Sequence, residues 1–251
     1  MTSRYEAYID GTSLSSLDSS ILVLDIQPGD IAPQYRSVRR AKRPGMIITD
    51  SYIDKASVNI LFEIHKYSTS ARLEVCQKVQ KWANGAVLKT NDRPTQQLNV
   101  VCESYPAPNA KNWTEPLTVA FAGYNPPYWE DITATTVNVT TTSQTVSVPG
   151  NAPETLVSAV ASVQASATTI TFTVDGKSIT VNNLETDSGD TITLGYDDGI
   201  LYIRQGTVSI LDHVTTSSAD VLKTRCGADN TFAISSDGVV TCAYTLRGCW
   251  Y

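Results

Sequence analysis

The feature that most constrains the fold is a single change of periodicity within residues 56–86. Every second residue of 58–64 is Val, Ile or Phe, which predicts a strand with one buried face. The polar residues 66–70 include hydroxyl side chains that can cap a helix. The spacing is then helical, with one apolar face and its flanks formed by Ala71, Leu73, Val75, Cys76, Val79, Trp82 and Ala83. Asn84-Gly85 ends the helix, which we expect to cover a sheet built from the strands on either side.

The rest of the sequence predicts a mainly β chain of two domains, residues 1–131 and 132–251. Length alone leaves one large or two smaller domains open, and the charge distribution favours two. Residues 1–131 carry 14 Lys and Arg against 14 Asp and Glu, whereas residues 132–251 carry 5 against 11. We expect an α+β first domain, with one helix on a sheet and a long hairpin, and an antiparallel β-sandwich as the second domain.

Asp-Gly pairs are the clearest turn signals in the second domain. Each lies between two runs of alternating residues, which predicts a β-hairpin. The pairs are Asp175-Gly176, Asp198-Gly199 and Asp237-Gly238. Such closely spaced short strands are typical of an antiparallel sandwich.

Composition argues against several classes of function. A net charge of −6 without a face rich in Lys and Arg disfavours nucleic-acid recognition. No run approaches the ~18 apolar residues of a membrane span, and no signal peptide is visible, so we expect a chain folded in a cytoplasm. Five cysteines and two histidines supply no zinc ligand set, and we expect reduced, mostly packed cysteines. Cys242 and Cys249 could meet across a terminal hairpin, although their spacing does not establish it.

Residues 30–45 form a strongly basic segment bounded by prolines. Its five cations lie within eight positions and are Arg36, Arg39, Arg40, Lys42 and Arg43. A solvated loop or hairpin explains such a run as well as a function does. Because the second half of the chain is acidic, an arm that reaches a neighbouring acidic surface is the functional alternative.

No catalytic or metal-binding constellation is visible. The chain has no G-x-S-x-G, P-loop or H-E-x-x-H motif. His65 lies on the same strand face as Glu63, as a catalytic base and its orienting carboxylate would. An exposed polar face of the strand explains this arrangement without catalysis. Calcium needs several carboxylates, but the acidic group that comes nearest lies where turns favour aspartate. That group comprises Asp187, Asp190, Asp197 and Asp198. We therefore predict no enzyme activity, no metal and no cofactor.

Aromatic residues of the second domain are further candidates for a binding role. Ring faces can stack on sugars, and Tyr196, Tyr202 and Trp250 are possible contacts for a sugar or a partner. Tyr244 and Tyr251 belong to the same aromatic group, and alternation within strands equally places such rings partly in the core. The spacing by itself does not favour a carbohydrate role.

A series of short motifs runs along nearly the whole chain. The first half contains Tyr8-Ile9-Asp10-Gly11, the strand and helix of 58–82 ending in Trp82, Val87-Leu88, Asp92-Arg93-Pro94, and Phe121 followed by Pro127-Tyr128-Trp129. The second half contains Gly150-Asn151-Ala152-Pro153, Ser188-Gly189-Asp190-Thr191-Ile192 and the closing strand 240–250. In this order the motifs resemble the distal tail proteins (Dit) of long-tailed phages and of prophages in Gram-positive bacteria. Residues 226–230 differ from the family, whose members have a shorter Gly-x-Asn step at this place. The difference puts only the likeness of one local loop in doubt.

The resemblance implies a structural virion protein. Dit proteins form a ring, typically hexameric, at the distal end of the tail tube; the N-terminal domain makes the ring, and the galectin-like C-terminal sandwich faces outward. The implied partners are further copies of the chain, the tail tube protein, a tail-associated lysin or hub protein, and receptor-binding proteins. The implied location is the tail tip of a virion assembled in the host cytoplasm. The basic segment 30–45 would then be an inter-subunit arm.

Two alternatives belong to other classes. A lectin-like adhesion module would act through the aromatic residues of the second domain. A tail-associated hydrolase would need a carboxylate pair or a metal set, and the sequence offers neither. No large insertion interrupts the second domain, so we expect it to lack the additional carbohydrate-binding modules of longer Dit proteins.

Overall fold

The structure is a computed structural model that describes residues 4–29, 33–39, 46–107, 115–124, 126–140, 143–153, 155–197, 200–217 and 222–251. The chain separates into two compact units. The first unit is Met1–Trp129 with Tyr251, and the second unit is Glu130–Trp250. Strands dominate both units, and the described residues contain one α-helix, so the mainly β class predicted from the sequence is confirmed.

The first unit holds the helix and the first eleven strands. Helix α1 spans Thr69–Trp82, and a short 3₁₀ turn spans Ser15–Leu17. The strands are β1 (Ala7–Ile9), β2 (Thr12–Ser13), β3 (Ile21–Pro28), β4 (Pro33–Arg39), β5 (Met46–Ile53), β6 (Ala56–Ile64), β7 (Val87–Thr90), β8 (Arg93–Asn99), β9 (Val101–Ser104), β10 (Leu117–Gly123) and β11 (Trp129–Asp131), which continues past the unit boundary.

Strand β6 lies inside an antiparallel sheet of order β3-β6-β10-β9. Its burial alternates strictly along all nine residues, as the periodicity predicts. The buried positions are Ala56, Val58, Ile60, Phe62 and Ile64. Because the side-chain period of a strand is two, a slip of one residue would turn this whole face towards solvent. The alternation therefore determines the pairing of β3 and β10 with β6.

Helix α1 begins with the kind of cap that the sequence predicts. The Ser68 hydroxyl accepts a hydrogen bond from the Ala71 amide at 3.2 Å. The buried stripe has the spacing of one helix face and comprises Arg72, Val75, Cys76, Val79 and Trp82. Leu73 was expected to flank this face, but it is 46% exposed because it lies on the outer side of the stripe, and Arg72 is buried instead.

The strands on either side of α1 belong to different sheets, contrary to the expectation from the sequence. The helix packs on the β6 sheet through Trp82, whose ring meets that of Phe121 on β10 edge-on at 5.9 Å. Strand β7, which follows the helix, pairs instead with β1 and β8. The Asp10 carboxylate accepts the amides of Ala86 and Val87 at 3.1 and 3.0 Å, which holds the start of β7 beside β1.

The second unit holds the remaining strands and a 3₁₀ turn at Leu211–His213. The strands are β12 (Thr135–Val139), β13 (Gln144–Val148), β14 (Thr155–Ala165), β15 (Ile170–Val174), β16 (Lys177–Val181), β17 (Thr191–Asp197), β18 (Ile200–Gln205), β19 (Val208–Ser209), β20 (Val214–Ser217), β21 (Lys223–Thr224), β22 (Ala228–Ser236), β23 (Val239–Leu246) and β24 (Cys249–Trp250).

Two antiparallel sheets of the second unit share one apolar core, as predicted. One has the order β12-β23-β14-β17-β18-β19, with β21 also pairing with β14, and the other has the order β13-β22-β15-β16-β20. Both sheets supply fully buried side chains, such as Phe172 and Phe232 from one and Ile203 and Leu194 from the other. The second unit is therefore a β-sandwich.

Two of the three predicted Asp-Gly hairpins are present. Asp175-Gly176 joins β15 to β16, and both residues have positive φ, +50° and +75°, as a type I′ turn requires. Strands β17 and β18 pair antiparallel, with the turn residues 198 and 199 outside the described residues.

The hairpin predicted at Asp237-Gly238 is wrong. Strands β22 and β23 follow one another in the chain but belong to opposite sheets. The Asp237 carboxylate accepts the amides of Thr168 and Thr169 at 2.9 and 3.0 Å. The hydrogen bond from the Thr168 hydroxyl, followed by the bonds from these amides, lowers the pKa of Asp237. The pair therefore forms a corner between the sheets, held by the loop that precedes β15.

Tyr244 ties the two sheets of the sandwich together. Its ring is fully buried on β23. Its hydroxyl donates to the Ala233 carbonyl of β22 at 2.5 Å and accepts the Thr173 amide of β15 at 3.3 Å. Burial raises the pKa of this hydroxyl well above its usual range. Because this buried hydroxyl has both of its hydrogen-bond partners on the opposite sheet, it fixes how the two sheets pack against one another.

Within the described parts of the chain, no helix is both long and apolar enough to cross a membrane.

Asp18, just before β3, contacts one lysine that precedes α1 and one lysine within it. Its carboxylate accepts the backbone amide and hydroxyl of Ser20 at 3.1 and 2.8 Å, and it contacts Lys66 and Lys78 at 3.4 and 3.1 Å. These hydrogen bonds, the Ser20 amide foremost, hold its pKa far below the ordinary value of 3.8. The folded state therefore stabilises the ionised form of Asp18 relative to the unfolded chain.

Asp18→Asn should lower the free energy of unfolding at pH 7 by about 1–2 kcal/mol, because charge-assisted bonds are replaced by weaker ones. A carboxyl with a depressed folded pKa contributes stability above its unfolded pKa of 3.8, and this contribution is lost as the pH falls through the folded pKa. Urea titrations should therefore show a smaller difference at about pH 2 than at pH 7. The exposed Asp92→Asn is the control, and a pH-independent difference for Asp18→Asn would contradict the assignment.

Gly150 occupies a position in the second unit that only glycine fits. Its φ is +123°, and a Cβ built on it would lie 2.1 Å from the Cys249 carbonyl oxygen. Gly150 forms a parallel bridge with Cys249, and the amides of Asn151 and Ala152 also donate to that carbonyl, at 3.0 and 3.1 Å. The backbone at position 150 can therefore approach Cys249 this closely only because glycine has no side chain.

Gly150→Ala should destabilise the second unit by about 3 kcal/mol or more, through backbone strain and a backbone clash. Gly189→Ala is the matched control, because Gly189 also has positive φ, +101°, but a Cβ there meets nothing within 4 Å. The control variant should lower the free energy of unfolding only through backbone strain, by about 1–2 kcal/mol. Thermal unfolding of both variants measures the difference, and equal losses would show that the clash is relieved.

Candidate functional site

The described part of the basic segment, residues 33–39, forms strand β4 in a β-hairpin of the first unit. Strands β4 and β5 pair antiparallel from Pro33 opposite Ile53 to Arg39 opposite Met46, with Arg36 opposite Asp50, and they form a two-stranded sheet of their own. The structure does not describe the side chains of Arg36 and Arg39. The other predicted arm residues, Arg40, Lys42 and Arg43, lie outside the described residues.

The hairpin starts where the pairing of β3 with β6 ends. Pro28, the last residue of β3, lies opposite Val58, and the Gly29 amide donates to the Ser57 carbonyl at 2.7 Å. A Cβ on Gly29 would lie 2.7 Å from the Ser57 Cβ, so a side chain at Gly29 would disturb this contact. On the other side, β5 ends at Ile53, and two residues separate it from the start of β6 of the main sheet.

A polar cluster around Glu103 holds the root of the hairpin. The Lys55 ammonium, between β5 and β6, lies 2.5 Å from a Glu103 carboxylate oxygen, and the Tyr124 hydroxyl donates to the same oxygen at 2.7 Å. The bond from Lys55 holds the pKa of Glu103 below its usual range, and the same bond raises the pKa of Lys55. The charges thus join the start of β6 to β9 of the same sheet.

The hairpin has the dimensions of an arm. Each strand of seven or eight residues spans about 25 Å at roughly 3.3 Å per residue. An isolated two-stranded hairpin is at best marginally stable in water. A sheet of this kind gains most when its faces or edges meet another surface.

Several motif residues of the first unit form a second cluster. The Arg93 guanidinium lies 5.1 Å above the Trp129 ring and donates twice to the Tyr251 carbonyl oxygen, each time at 3.1 Å. The Tyr128 and Tyr251 rings meet edge-on at 5.7 Å. The motifs around residues 93 and 128 are therefore explained by one packing arrangement.

The proposed sugar contacts Tyr196 and Tyr202 do not share a surface. Tyr196 lies opposite Leu201, and Tyr202 lies opposite Gly195. Directly opposed residues project from the same face of a sheet and successive residues from opposite faces, so the two tyrosines point to opposite sides. Tyr196 packs against the apolar core.

The remaining aromatic candidates are also engaged within the protein. The Arg204 guanidinium lies 4.7 Å over the Tyr202 ring, and a Cβ built on Gly195 would lie 2.8 Å from the Tyr202 hydroxyl. The half-buried Trp250 donates its indole N–H to Asp131 at 2.9 Å. The structure therefore assembles no shared aromatic platform from Tyr196, Tyr202 and Trp250.

Tyr196 lines a polar cavity of about 260 Å³ in the second unit. The cavity also contacts Glu130, Ser158, Thr245 and Arg247. Burial raises the pKa of Glu130, and the Arg247 charge opposes that rise. One carboxyl, one guanidinium and three hydroxyls line the cavity and can bind polar groups. The Ser158 hydroxyl donates to the Thr245 carbonyl at 3.4 Å and not to a base that would make it a nucleophile.

Other candidate chemistry is equally sparse. His65 Nε2 lies 3.3 Å from Glu63 on the exposed face of β6. Among the residues that the structure describes, no group of three or more His, Cys, Asp and Glu side chains could hold a metal ion. No disulfide joins the five cysteines, three of which are buried.

Cys242 and Cys249, which the sequence left open as possible neighbours, each interact with a different residue and form no disulfide. Cys242 lies on β23, where its thiol interacts with Tyr244 and burial raises its pKa to about 12. Cys249 instead contacts Cys226. The two members of this pair are 23 positions apart and lie on a loop and a short strand, a juxtaposition that sequence spacing does not signal.

The search of solved structures finds the Dit protein (gp 19.1) of SPP1, described with its crystal structure as a paradigm of the hub adsorption apparatus in phages that infect Gram-positive hosts. It is 14% identical to this chain at a TM-score of 0.73, and the match covers 96% of this chain and 98% of that chain. The fold is therefore that of SPP1 Dit, which confirms the resemblance to distal tail proteins at the level of fold.

Two further matches are chains of the phage p2 baseplate in its activated conformation, with Sr and with Ca. Both are 9% identical, with TM-scores of 0.42 and 0.41, and they cover 97% and 99% of this chain and 97% and 98% of those chains. These scores are too low to carry an argument. No protein-family model and no curated protein matches the sequence.

Glu103→Gln should loosen the root of the hairpin, because the Lys55 ammonium loses its carboxylate partner. We expect the Gly29 amide, which is bonded to Ser57, to exchange its hydrogen about three to five times faster. Hydrogen exchange measured by NMR checks this. Glu74→Gln on the exposed side of α1 is the control, and an unchanged Gly29 rate would show that the cluster does not hold the root.

Proposed function

We propose that this chain is a structural component of a phage tail tip that acts in a baseplate or hub. The observation that carries the proposal is the SPP1 Dit fold, which extends over nearly the whole of both chains. An arrangement of two β-rich units without a recognisable catalytic group among the described residues suits a scaffold. On this proposal the protein is not an enzyme and needs no cofactor.

The finer proposal is a ring, hexameric as in distal tail proteins generally, made by residues 1–131. The β4–β5 hairpin is the inter-subunit arm. Three features support this role: its fixed root at Glu103, its formation of a separate sheet, and the five cations between its prolines. A separate hairpin gains stability by packing on a neighbour, and its positive charge suits an acidic surface. Residues 132–251, with 5 basic and 11 acidic residues, offer such a surface.

The proposed partners follow from this position in a tail. The ring would join the tail tube protein to a tail-associated lysin or hub protein and to receptor-binding proteins, with residues 132–251 facing the latter. Assembly would take place in the host cytoplasm. The Dit fold supports these partners as a group, and recognition of nucleic acid or membrane has no part in the proposal.

A lectin-like role for the second unit is the alternative function. It rests on the aromatic residues of the sandwich, and their geometry gives it little support. Tyr196 and Tyr202 lie on opposite faces of their sheet, and the indole of Trp250 is bonded to Asp131. The structural role is therefore the function that the geometry supports best.

Replacement of Arg39, Arg40 and Arg43 by Glu should abolish the ring while the monomer stays folded, because the arm would then repel an acidic neighbour. Light scattering at several concentrations and salt levels distinguishes a hexamer from the 27.2 kDa chain. The wild-type ring should also weaken as salt increases. Circular dichroism and thermal unfolding verify that the variant remains folded.

The control carries the same charge change away from the arm, at the exposed residues Lys177, Arg204 and Arg225, all replaced by Glu. It should assemble at least as well as the wild type, because it makes residues 132–251, the proposed acidic surface, more acidic. A ring that persists in the arm variant contradicts the arm, and a loss of assembly in both variants indicates a general charge effect instead. A wild-type protein that stays monomeric at every concentration, alone and with tail tube protein, contradicts the ring.

A further inference from the structure

Two cysteines of the second unit lie together although they are far apart in sequence. Cys226 belongs to the loop between β21 and β22, and Cys249 begins β24. Their side chains interact directly with one another. No disulfide joins them in this structure. Two adjacent thiols are the reactants of a disulfide, so the pair is a candidate modification site.

The backbone holds both cysteines in place through the segment around Gly150. The bridge between Gly150 and Cys249 fixes one side. On the other side, the Gly227 amide donates to the Val148 carbonyl at 2.7 Å, and a Cβ on Gly227 would lie 3.0 Å from the Gly150 carbonyl oxygen. The residue after Cys226 and the residue opposite Cys249 are thus in contact. The backbone, and not the rotamer of one side chain, therefore brings the two cysteines together.

The two thiols differ in access to solvent. Cys249 is fully buried, whereas Cys226 is partly exposed. The contact with Cys226, followed by burial, raises the pKa of Cys249 well above its usual range. Cys226 is therefore the thiol that an external oxidant can reach first, and Cys249 is placed to react next.

We propose that Cys226 and Cys249 are a reversible disulfide site that closes when the protein meets a disulfide oxidant such as oxidised glutathione. The Cys226 thiolate attacks the oxidant, forms a mixed disulfide and releases one reduced glutathione. Cys249 loses its proton and attacks the Cys226 sulfur, which expels the second reduced glutathione. The two cysteines together lose two protons and two electrons, and the oxidant gains them.

Closure would link the loop before β22 to the last strand of the second unit. The bond encloses residues 226–249, so it removes freedom from the unfolded chain. It would leave the β-sandwich itself unchanged, because the partners are already in contact. The proposal is independent of the proposed tail function: it concerns the monomer, and a ring can form or fail without affecting it.

The test uses the full chain, incubated with oxidised glutathione or with a reductant, alkylated under denaturing conditions and digested with trypsin and Asp-N protease. Trypsin alone leaves Cys226 and Cys242 in one peptide, whereas Asp-N cleavage before Asp229 and Asp237 separates them. We expect peptides 226–228 and 248–251 to be joined and lighter by two hydrogens. The joined species should disappear on reduction.

Variants make the assignment specific. Cys242→Ser should retain the cross-link, and Cys226→Ser should lose it. Oxidation should raise the melting temperature of the wild type by about 5 °C and that of Cys226→Ser not at all. The proposal is overturned if peptide 237–247 is joined to 248–251, if Cys226 carries glutathione while Cys249 is still alkylated, or if all five cysteines are alkylated after oxidation.

Discussion

The burial of one face of β6 is the constraint on which the first unit depends. Its five alternating apolar residues are at most 3% exposed, and neighbouring strands pair with both of its edges. A strand buried in this way cannot slip by one residue, because any odd shift exposes the whole set. The same strand begins beside the root of the basic hairpin at Lys55 and leads into helix α1. The position of both elements therefore follows from the register of β6.

Sequence reasoning succeeded where a local pattern and the tertiary structure agree. The periodicity of β6, the Ser68 cap and the turn at Asp175-Gly176 each have a local cause, and each is present. It failed at Asp237-Gly238, where the same dipeptide forms a corner because the hydrogen bonds of Asp237 go to a loop distant in sequence. Tertiary contacts of this kind leave no local signature.

The candidate site was only partly predictable for the same reason. The opposite faces of Tyr196 and Tyr202 could have been deduced, since a two-residue loop at 198–199 pairs residue 196 with 201 and residue 195 with 202. The contact of Cys226 with Cys249 could not, because it depends on a backbone bridge at Gly150. For the proposed arm, the sequence indicated the basic character and a long hairpin, but the register of the two strands and the contacts of Glu103 at the root appear only in the structure.

The place of β23 in its sheet determines when the second unit can form during synthesis. Strand β23 lies between β12 and β14, although it follows β14 by more than seventy positions in the chain. The sandwich therefore lacks an interior strand until residues 239–246 have left the ribosome, and until then the facing edges of β12 and β14 have no partner in it. Open strand edges invite pairing with other chains, so the nascent second unit is most vulnerable to aggregation late in translation. The β6 sheet of the first unit is complete by β10 and is spared this delay.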